Sequence, residues 1–302
     1  MLYLYSSLPL VTYIITLIWV IKSTPRKQMD LIINIFLVLA ASVYTWFSTV
    51  WIFISLYAKY CLILFSLFSL FYMLRKTKNY SLHNNNSKKF GFKIIVILIF
   101  FILIFMTFMS KKPPSNSIEL SFPFHRGTYT VFQGGSNRLS NPLHRYSNTQ
   151  SFAVDFVKVN KFGNRANGLY PLKLSSYSIF DDSVFAPCAG EIIEVAREFP
   201  DNKPPKVSQA SLDNRVVIKR NDNIIIYMAH FKQSTIFVRV GDNVKAGQYI
   251  GCVGNSGMTC EPHLHIQANL IVNCNNSIKG KPLPMLFNGI FFSTNTIFTS
   301  RY

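Results

Sequence analysis

The 302-residue sequence predicts two parts: a multi-span α-helical membrane region of about four helices, followed by an all-β domain. Three observations support this division. The first 112 residues are dominated by apolar runs of about the length that crosses a bilayer. Basic residues cluster between these runs, as they do on one side of a membrane. After residue 120 the pattern changes to short apolar runs separated by Gly, Asn and Pro, which is typical of antiparallel strands.

Four apolar stretches are predicted to span the membrane. The first has no basic segment before it and no small-residue cleavage site after it, so we expect it to be retained rather than removed as a signal peptide. The run 31–74 is too long for one span and has Lys59 as its only charged residue, so we divide it in two. The predicted spans are 3–21, 31–50, 56–74 and 92–109, with a linker at 113–120 and the β domain at 121–302.

The charge of the membrane region predicts its orientation. Residues 1–112 contain twelve Lys and Arg against one acid, Asp30, and so supply +11 of the net charge of +18. Charge placed between apolar runs is typical of membrane topology rather than of nucleic-acid binding. The loops 22–29 and 75–93 carry three and six basic residues and fall on the same side of four spans. The positive-inside rule puts that side in the cytoplasm, so the β domain is predicted to lie outside the cytoplasmic membrane.

Three of the six histidines lie close together in the C-terminal part of the sequence. His230 follows the apolar run IIIYMA, and His263 and His265 form a His-x-His pair in HLHIQANLIV. The alternation of this run predicts a strand on which His263, His265 and Gln267 share one face. Two imidazoles at this spacing indicate a metal site in a cleft; the alternative is a half-buried strand with two exposed polar residues. The residues alone do not say which of the two binds the metal.

The segments YMAH, VRVGDNVKAGQYIGCVGNSG and EPHLHIQ together resemble the zinc metallopeptidases of the lysostaphin and LytM type, peptidase family M23. The strand–turn–strand pattern VFAPCAGEIIEV, which begins at Val184, also fits that family. The resemblance implies a barrel-sandwich peptidase core and a catalytic zinc ion. It also implies a substrate among the peptide bonds of peptidoglycan, cut without a covalent intermediate.

The upstream half of the implied metal site departs from the family pattern. The first ligands of the family usually come as His-x-x-x-Asp. In this sequence Asp155, in the run FAVDFV, fits the aspartate, but Ser151 stands at the histidine position. A serine hydroxyl is a poor zinc ligand compared with imidazole. Either His144 on the preceding loop replaces the missing ligand, which we favour, or the site has lost its metal.

The resemblance implies a role for each residue of the site. His144, Asp155 and His265 are predicted to bind zinc and to leave a fourth position open for water, the arrangement of a catalytic zinc site. His230 and His263 map to the two family histidines that do not bind the metal. One or both act as general base or stabilise the oxyanion. The expected function is that of a membrane-anchored zinc metalloendopeptidase acting on peptidoglycan.

Two other classes of function stay open at this point. Ser151 is compatible with a catalytically degenerate domain that binds cell wall or regulates a partner hydrolase. A receptor or transporter is disfavoured, because the spans are poor in charge, with Asp30 and Lys59 expected at the membrane interface. The spans leave room for an unidentified membrane partner. Among the five scattered cysteines we expect free thiols, with a disulfide among Cys252, Cys260 and Cys274 as the alternative.

Overall fold

In the computed structural model the chain forms two compact units, Met1–Phe108 and Met109–Tyr302. The structure describes residues 2–23, 25, 28–76, 87–271 and 280–301. Two basic residues of the predicted loop 22–29, Arg26 and Lys27, lie outside the described residues. So do Cys274 and most of the predicted loop 75–93. The cysteines that the structure describes are free thiols: Cys61, Cys188, Cys252 and Cys260.

The N-terminal unit contains four helices in its described residues. They are α1 (Leu2–Lys22), α2 (Gln28–Ser48), α3 (Lys59–Lys76) and α4 (Ser87–Met109). The run 31–74 contains most of α2 and of α3, and a short 3₁₀ turn lies between these two helices. Of the described helical segments, α2 and the part of α4 from Phe90 to Met109 are long and apolar enough to cross a membrane. The part of α1 from Ser6 to Lys22 is apolar but shorter.

Polar side chains of the N-terminal unit bond to one another between helices. The Tyr13 hydroxyl of α1 lies 2.7 Å from Ser66 Oγ of α3, which in turn lies 2.8 Å from Ser42 Oγ of α2. Large apolar side chains point outward instead: Phe65 is 59% exposed and Phe105 is 64% exposed. Hydroxyl groups between helices and apolar groups outside them are typical of packing in lipid rather than in water.

The C-terminal unit is built from short strands. They are β1 (Ile118–Leu120), β2 (Arg126–Gln133), β3 (Val154–Lys158), β4 (Ser183–Phe185), β5 (Gly190–Ala196), β6 (Arg215–Lys219), β7 (Ile224–Ala229), β8 (Asn243–Val244), β9 (Tyr249–Cys252), β10 (Leu264–Leu270), β11 (Lys281–Leu283), β12 (Met285–Phe287), β13 (Ile290–Phe291) and β14 (Ile297–Arg301).

The main sheet has nine strands in the order β14-β2-β3-β10-β7-β6-β5-β8, with β11 paired to the end of β10. All its pairings are antiparallel. A three-stranded sheet (β1-β12-β13) and the pair β4-β9 complete the unit. In the three-stranded sheet, β1 pairs with β12 in parallel. The prediction of a β-rich domain with antiparallel sheets is therefore confirmed.

Strand β10 lies in the middle of the main sheet, between β3 and β7. Leu264, Ile266 and Ala268 point into the hydrophobic core, as the alternation of the sequence predicts. His265 and Gln267 therefore lie on the opposite face. A slip by one residue would exchange these two sets of side chains, so burial of the apolar face fixes the register of β10 and with it the position of His265.

Candidate metal centre

Asp155 and His265 lie side by side because β3 and β10 are antiparallel neighbours in which these two residues are directly opposite. Both side chains are buried, and His265 Nδ1 lies 2.9 Å from Asp155 Oδ1. On its other side β10 pairs with β7, and there His265 is opposite Ala229. The centre of the sheet thus brings the end of β7 to the same place.

His144 approaches this place from the loop between β2 and β3. It begins a short 3₁₀ turn. The Asn141 side-chain amide donates to the carbonyl of Ala153 at 3.0 Å, which ties the loop to the start of β3. The Leu143 N–H donates to Gln133 Oε1 at 3.2 Å, which ties it to the end of β2. Two hydrogen bonds from the residues just before this turn therefore hold the loop that carries the imidazole against β2 and β3.

His144, Asp155 and His265 form a buried cluster. Each offers one ligand atom, and these atoms all lie within 4.8 Å of one another. His144 Nε2 lies 3.4 Å from Asp155 Oδ2, and the two imidazole centroids are 4.9 Å apart. The structure thus brings together the three residues that the sequence analysis selected as metal ligands. Two imidazoles and one carboxylate are a donor set that suits zinc.

Gln267 orients the imidazole of His265. Its Oε1 lies 3.2 Å from His265 Nε2, and a carboxamide oxygen only accepts, so Nε2 is the donor. The other nitrogen, Nδ1, faces Asp155 and is the atom that belongs to the ligand cluster. Outer hydrogen bonds of this kind fix the ring of a metal-binding histidine.

His230 reaches the site through an unusual backbone conformation. It directly follows β7, where strict alternation would turn its side chain to the core face with Met228. Its φ of 69° lies in the left-handed region, which redirects the ring. The imidazole centroid then lies 4.6 Å from that of His263 and 5.9 Å from that of His265. Conformations of this kind cluster at functional sites.

His230 and His263 form a second pair, and main-chain carbonyls fix the tautomer of each. His230 Nδ1 donates to the carbonyl of Ser256 at 2.8 Å, and His263 Nδ1 donates to the carbonyl of Glu261 at 2.8 Å. Because each Nδ1 carries the proton, each Nε2 is an unprotonated base. His263 Nε2 lies 3.7 Å from Asp155 Oδ1, at the edge of the ligand cluster.

Burial and the neighbouring charges set the protonation of the site. Burial lowers the pKa of His144 to about 4, lowers that of His263, and lowers that of His230 well below its ordinary value. Burial also opposes the charge of Asp155, but the histidines around it hold its pKa below the usual range. His265 is the exception, because its bond to the Asp155 carboxylate outweighs burial and raises its pKa.

Ser151, at the position where the family pattern has a histidine, is engaged within its own loop. Its hydroxyl donates to the carbonyl of Ser147 at 2.9 Å. The neighbouring carbonyl of Ser151 accepts weakly from Asn141 and Arg145, at 3.5 and 3.4 Å. Ser151 thus stabilises the loop that carries His144.

A buried ion pair lies beside His263, outside the set of residues predicted from the sequence. Arg165 Nε lies 2.5 Å from Glu261 Oε2, and Arg165 Nη2 lies 2.6 Å from Glu261 Oε1. Glu261, two residues before His263 in a turn without other charge, was a usable signal for one partner. Arg165 is 96 residues away in the sequence and had no comparable signal.

Comparison with known proteins gives a family for this domain. Residues 178–278 match the model described as peptidase family M23. Lysostaphin from Staphylococcus simulans is 47% identical over 49 residues, which are 16% of this chain and 10% of lysostaphin. The glycyl-glycine endopeptidase ALE-1 from Staphylococcus capitis is 41% identical over 59 residues, which are 20% of this chain and 16% of ALE-1. The match thus spans less than a fifth of the length of these relatives.

Two solved structures are also similar to part of this chain. The solution structure of lysostaphin is 26% identical and covers 42% of this chain and 40% of its own, with a TM-score of 0.26. A zinc-containing peptidase from Vibrio cholerae is 22% identical and covers 54% and 41%, with a TM-score of 0.29. On the family match and the two relatives, residues 178–278 of this chain form a segment of peptidase family M23, of the lysostaphin type.

Proposed function

We propose that this chain is a membrane-anchored zinc endopeptidase that hydrolyses peptide bonds of peptidoglycan outside the cytoplasmic membrane. The observation that carries the proposal is the pairing of two sets of residues. His144, Asp155 and His265 form a three-ligand cluster. His230 and His263, against that cluster, keep their Nε2 atoms unprotonated. A binding module has no evident use for the second pair, whereas hydrolysis of a peptide bond requires a base.

The ligand cluster passes a test of fit for zinc on its own geometry. Its three donors are buried, lie within 4.8 Å of one another, and consist of two imidazoles and one carboxylate. His265 has its second nitrogen held by Gln267, as ligand histidines do. A bound zinc ion supplies a water activated for attack and polarises the scissile carbonyl.

The remaining steps belong to side chains of this chain. Nε2 of His263 or of His230 accepts the proton of the attacking water, because both lone pairs are free. General base catalysis of this kind contributes roughly 10²–10⁴-fold to the rate. Once it is protonated at Nε2, that imidazole is a cationic donor that can stabilise the negative charge developing on the carbonyl oxygen. The C–N bond then breaks, and the proton held on Nε2 passes to the departing amine, which completes the hydrolysis.

Family membership and the names of the relatives support the choice of substrate. ALE-1 is named a glycyl-glycine endopeptidase, and the segment it shares with this chain is 59 residues long. The family supports a metallopeptidase acting on peptidoglycan.

The membrane placement rests on the N-terminal unit. Its outer surface is apolar, its hydroxyl groups bond between helices, and two of its helical segments have the length and composition of membrane spans. All four helices are proposed to span the membrane. The bias of Lys and Arg in the loops then places the β domain on the outer side.

Zinc content and peptide hydrolysis test the enzymatic part. The full chain, purified in detergent, is assayed for zinc and for cleavage of isolated peptidoglycan and of a peptide with a Gly–Gly bond. We expect about one zinc per chain, and loss of both zinc and cleavage in His265→Ala. His125→Ala is the matched control, because this histidine stacks on Phe185 away from the ligand cluster. Folded wild-type protein that binds peptidoglycan without zinc would favour the degenerate module instead.

Reporter fusions test the membrane part. Alkaline phosphatase fused after Lys112 is expected to be active, because the enzyme folds only outside the cytoplasm, and β-galactosidase at the same point is expected to be inactive. Fusions after Arg75 serve as the internal control and are expected to give the opposite pattern. Activity of β-galactosidase after Lys112 would contradict the proposed orientation.

A further inference from the structure

Arg165 and Glu261 form the ion pair that the mechanism above does not use. Their side chains are 2% and 9% exposed. The guanidinium places Nε and Nη2 on the two carboxylate oxygens at 2.5 and 2.6 Å, so the contact is bidentate. Such a fork fixes the plane of the carboxylate as well as its distance.

Arg165 is itself held firmly in the segment between β3 and β4. Its carbonyl accepts from the Ser178 N–H at 2.9 Å. The next residue, Ala166, forms an antiparallel bridge with Tyr177. Nη2 of Arg165 also donates to the carbonyl of Leu169 at 2.9 Å. The guanidinium is therefore a fixed point and not a mobile side chain that follows Glu261.

Glu261 connects this fixed point to His263 through its main chain. The carbonyl of Glu261 accepts the Nδ1 proton of His263 at 2.8 Å and the Thr259 hydroxyl at 2.7 Å. The Thr259 oxygen also lies 3.2 Å from His263 Nδ1. The side chain of Glu261 thus contacts Arg165, and its carbonyl contacts His263. A shift of the side chain therefore also displaces the carbonyl.

Stability alone is a poor explanation for this pair. Burial raises the pKa of the Glu261 carboxyl to about 8, whereas the guanidinium on both oxygens stabilises its charged form. Removing two charges from water offsets much of the attraction between them, so apolar residues of similar volume commonly stabilise a fold as well. What a bidentate pair supplies, and an apolar contact does not, is orientation.

We propose that Arg165 is a positioning residue for His263. Its bidentate contact holds Glu261 so that the Glu261 carbonyl keeps the proton of His263 on Nδ1, which leaves Nε2 as the base facing the ligand cluster. The kinetic part of this inference rests on the proposed peptidase function. The tautomer of His263 does not, and it can be measured without substrate.

The test compares variants of the full chain in detergent with imidazole-labelled histidine. In Arg165→Met, ¹⁵N shifts are expected to show His263 divided between its two tautomers, where the wild type has Nδ1–H only. For cleavage of the Gly–Gly peptide we expect kcat to fall about 10-fold or more, the scale of outer-shell effects, with KM within about twofold. Zinc content is expected to stay at the wild-type level.

Two further variants separate positioning from loss of stability. Lys158→Met breaks the ion pair with Asp182 near the ends of the same segment and is expected to leave kcat and the His263 tautomer unchanged. Glu261→Gln keeps the size of the side chain and decides the question where Arg165→Met does not fold. Wild-type tautomer and kcat in Glu261→Gln or Arg165→Met would overturn the proposal, as would an equal loss of kcat in Lys158→Met. A tautomer change without any wild-type cleavage would leave the positioning role intact and contradict the proposed function.

Discussion

The two sides of the ligand cluster are built in different ways. On the downstream side, His265 lies within the central strand β10 and His230 directly follows its neighbour β7. On the upstream side, Asp155 also lies on a strand, but His144 comes from a loop that Asn141 ties to β3. Strand register places one side of the site, and a few hydrogen bonds of a loop place the other.

This difference coincides with the place where the chain departs from the family pattern. The family match covers residues 178–278 and so includes only the downstream side. A histidine on β10 has one possible position, because its neighbours on both sides fix the register. A loop ligand needs only to end near Asp155. His144 does so although it lies seven residues before Ser151, which stands at the usual position of the ligand.

The largest expected effect breaks the upstream side. His144→Ala removes one of three donors, so zinc binding should weaken by more than the roughly 10–100-fold that follows loss of an outer hydrogen-bond partner. Cleavage should fall with it and return in part at high zinc concentration. Zinc titration of the full chain in detergent measures both. Full zinc occupancy and activity in His144→Ala would show that the upstream ligand lies elsewhere.

Ser151→Ala is the matched control on the same loop. It removes one partly buried hydrogen bond to Ser147 and should cost about 1 kcal/mol of stability with no change in zinc affinity. A loss of zinc in this variant would assign the serine to the metal site and weaken the case for His144.

A smaller effect comes from the pH dependence of the metal-free protein. The folded-state pKa values of His144, His230 and His263 are lowered, so their contribution to stability is present above about pH 6.5 and is lost as the pH falls. Asp155, also lowered, acts in the same direction at still lower pH. The pKa of His265 is raised, so this residue acts in the opposite direction and stabilises the fold most at low pH. Three groups against one predict a net loss of stability from pH 7 to pH 5.

For His144 alone the loss over this range is about 2 kcal/mol. Thermal unfolding of the full chain in detergent and chelator, followed by circular dichroism, measures it. The same scan on His144→Gln is the control and should show a shallower dependence on pH. A melting temperature that rises between pH 7 and pH 5 would mean that the carboxylate–His265 pair dominates the site.

The strands and the downstream histidines were predictable because strand physics is local and periodic. Alternation in HLHIQANLIV placed Leu264 and Ile266 in the core and His265 opposite them, as observed. The ligand cluster was predictable only with the family resemblance, since composition does not show which loop histidine approaches Asp155. The left-handed conformation of His230 was not predictable, because residues other than glycine adopt it only where the surrounding fold imposes it.

The Arg165–Glu261 pair was not predictable for a related reason. Arg165 alone reads as a solvated surface charge, and only the fold brings its Nε to 2.5 Å from Glu261 Oε2, 96 residues away. The same limit applies to the hydroxyl contacts of the N-terminal unit, where Tyr13 and Ser66 are 53 residues apart. Long-range polar partners are where sequence patterns carry the least information.

The register of β10 against β3 also has a consequence for the timing of assembly. Asp155 and His265 are 110 residues apart in the chain, and His144 is further still. Closing so long a connection costs entropy that is recovered only when the central strand enters the sheet. A nascent chain therefore cannot assemble the three residues of the proposed metal site until the β10 segment has been synthesised and has entered the sheet. On the proposed function, metal capture is then a late event in the maturation of the chain.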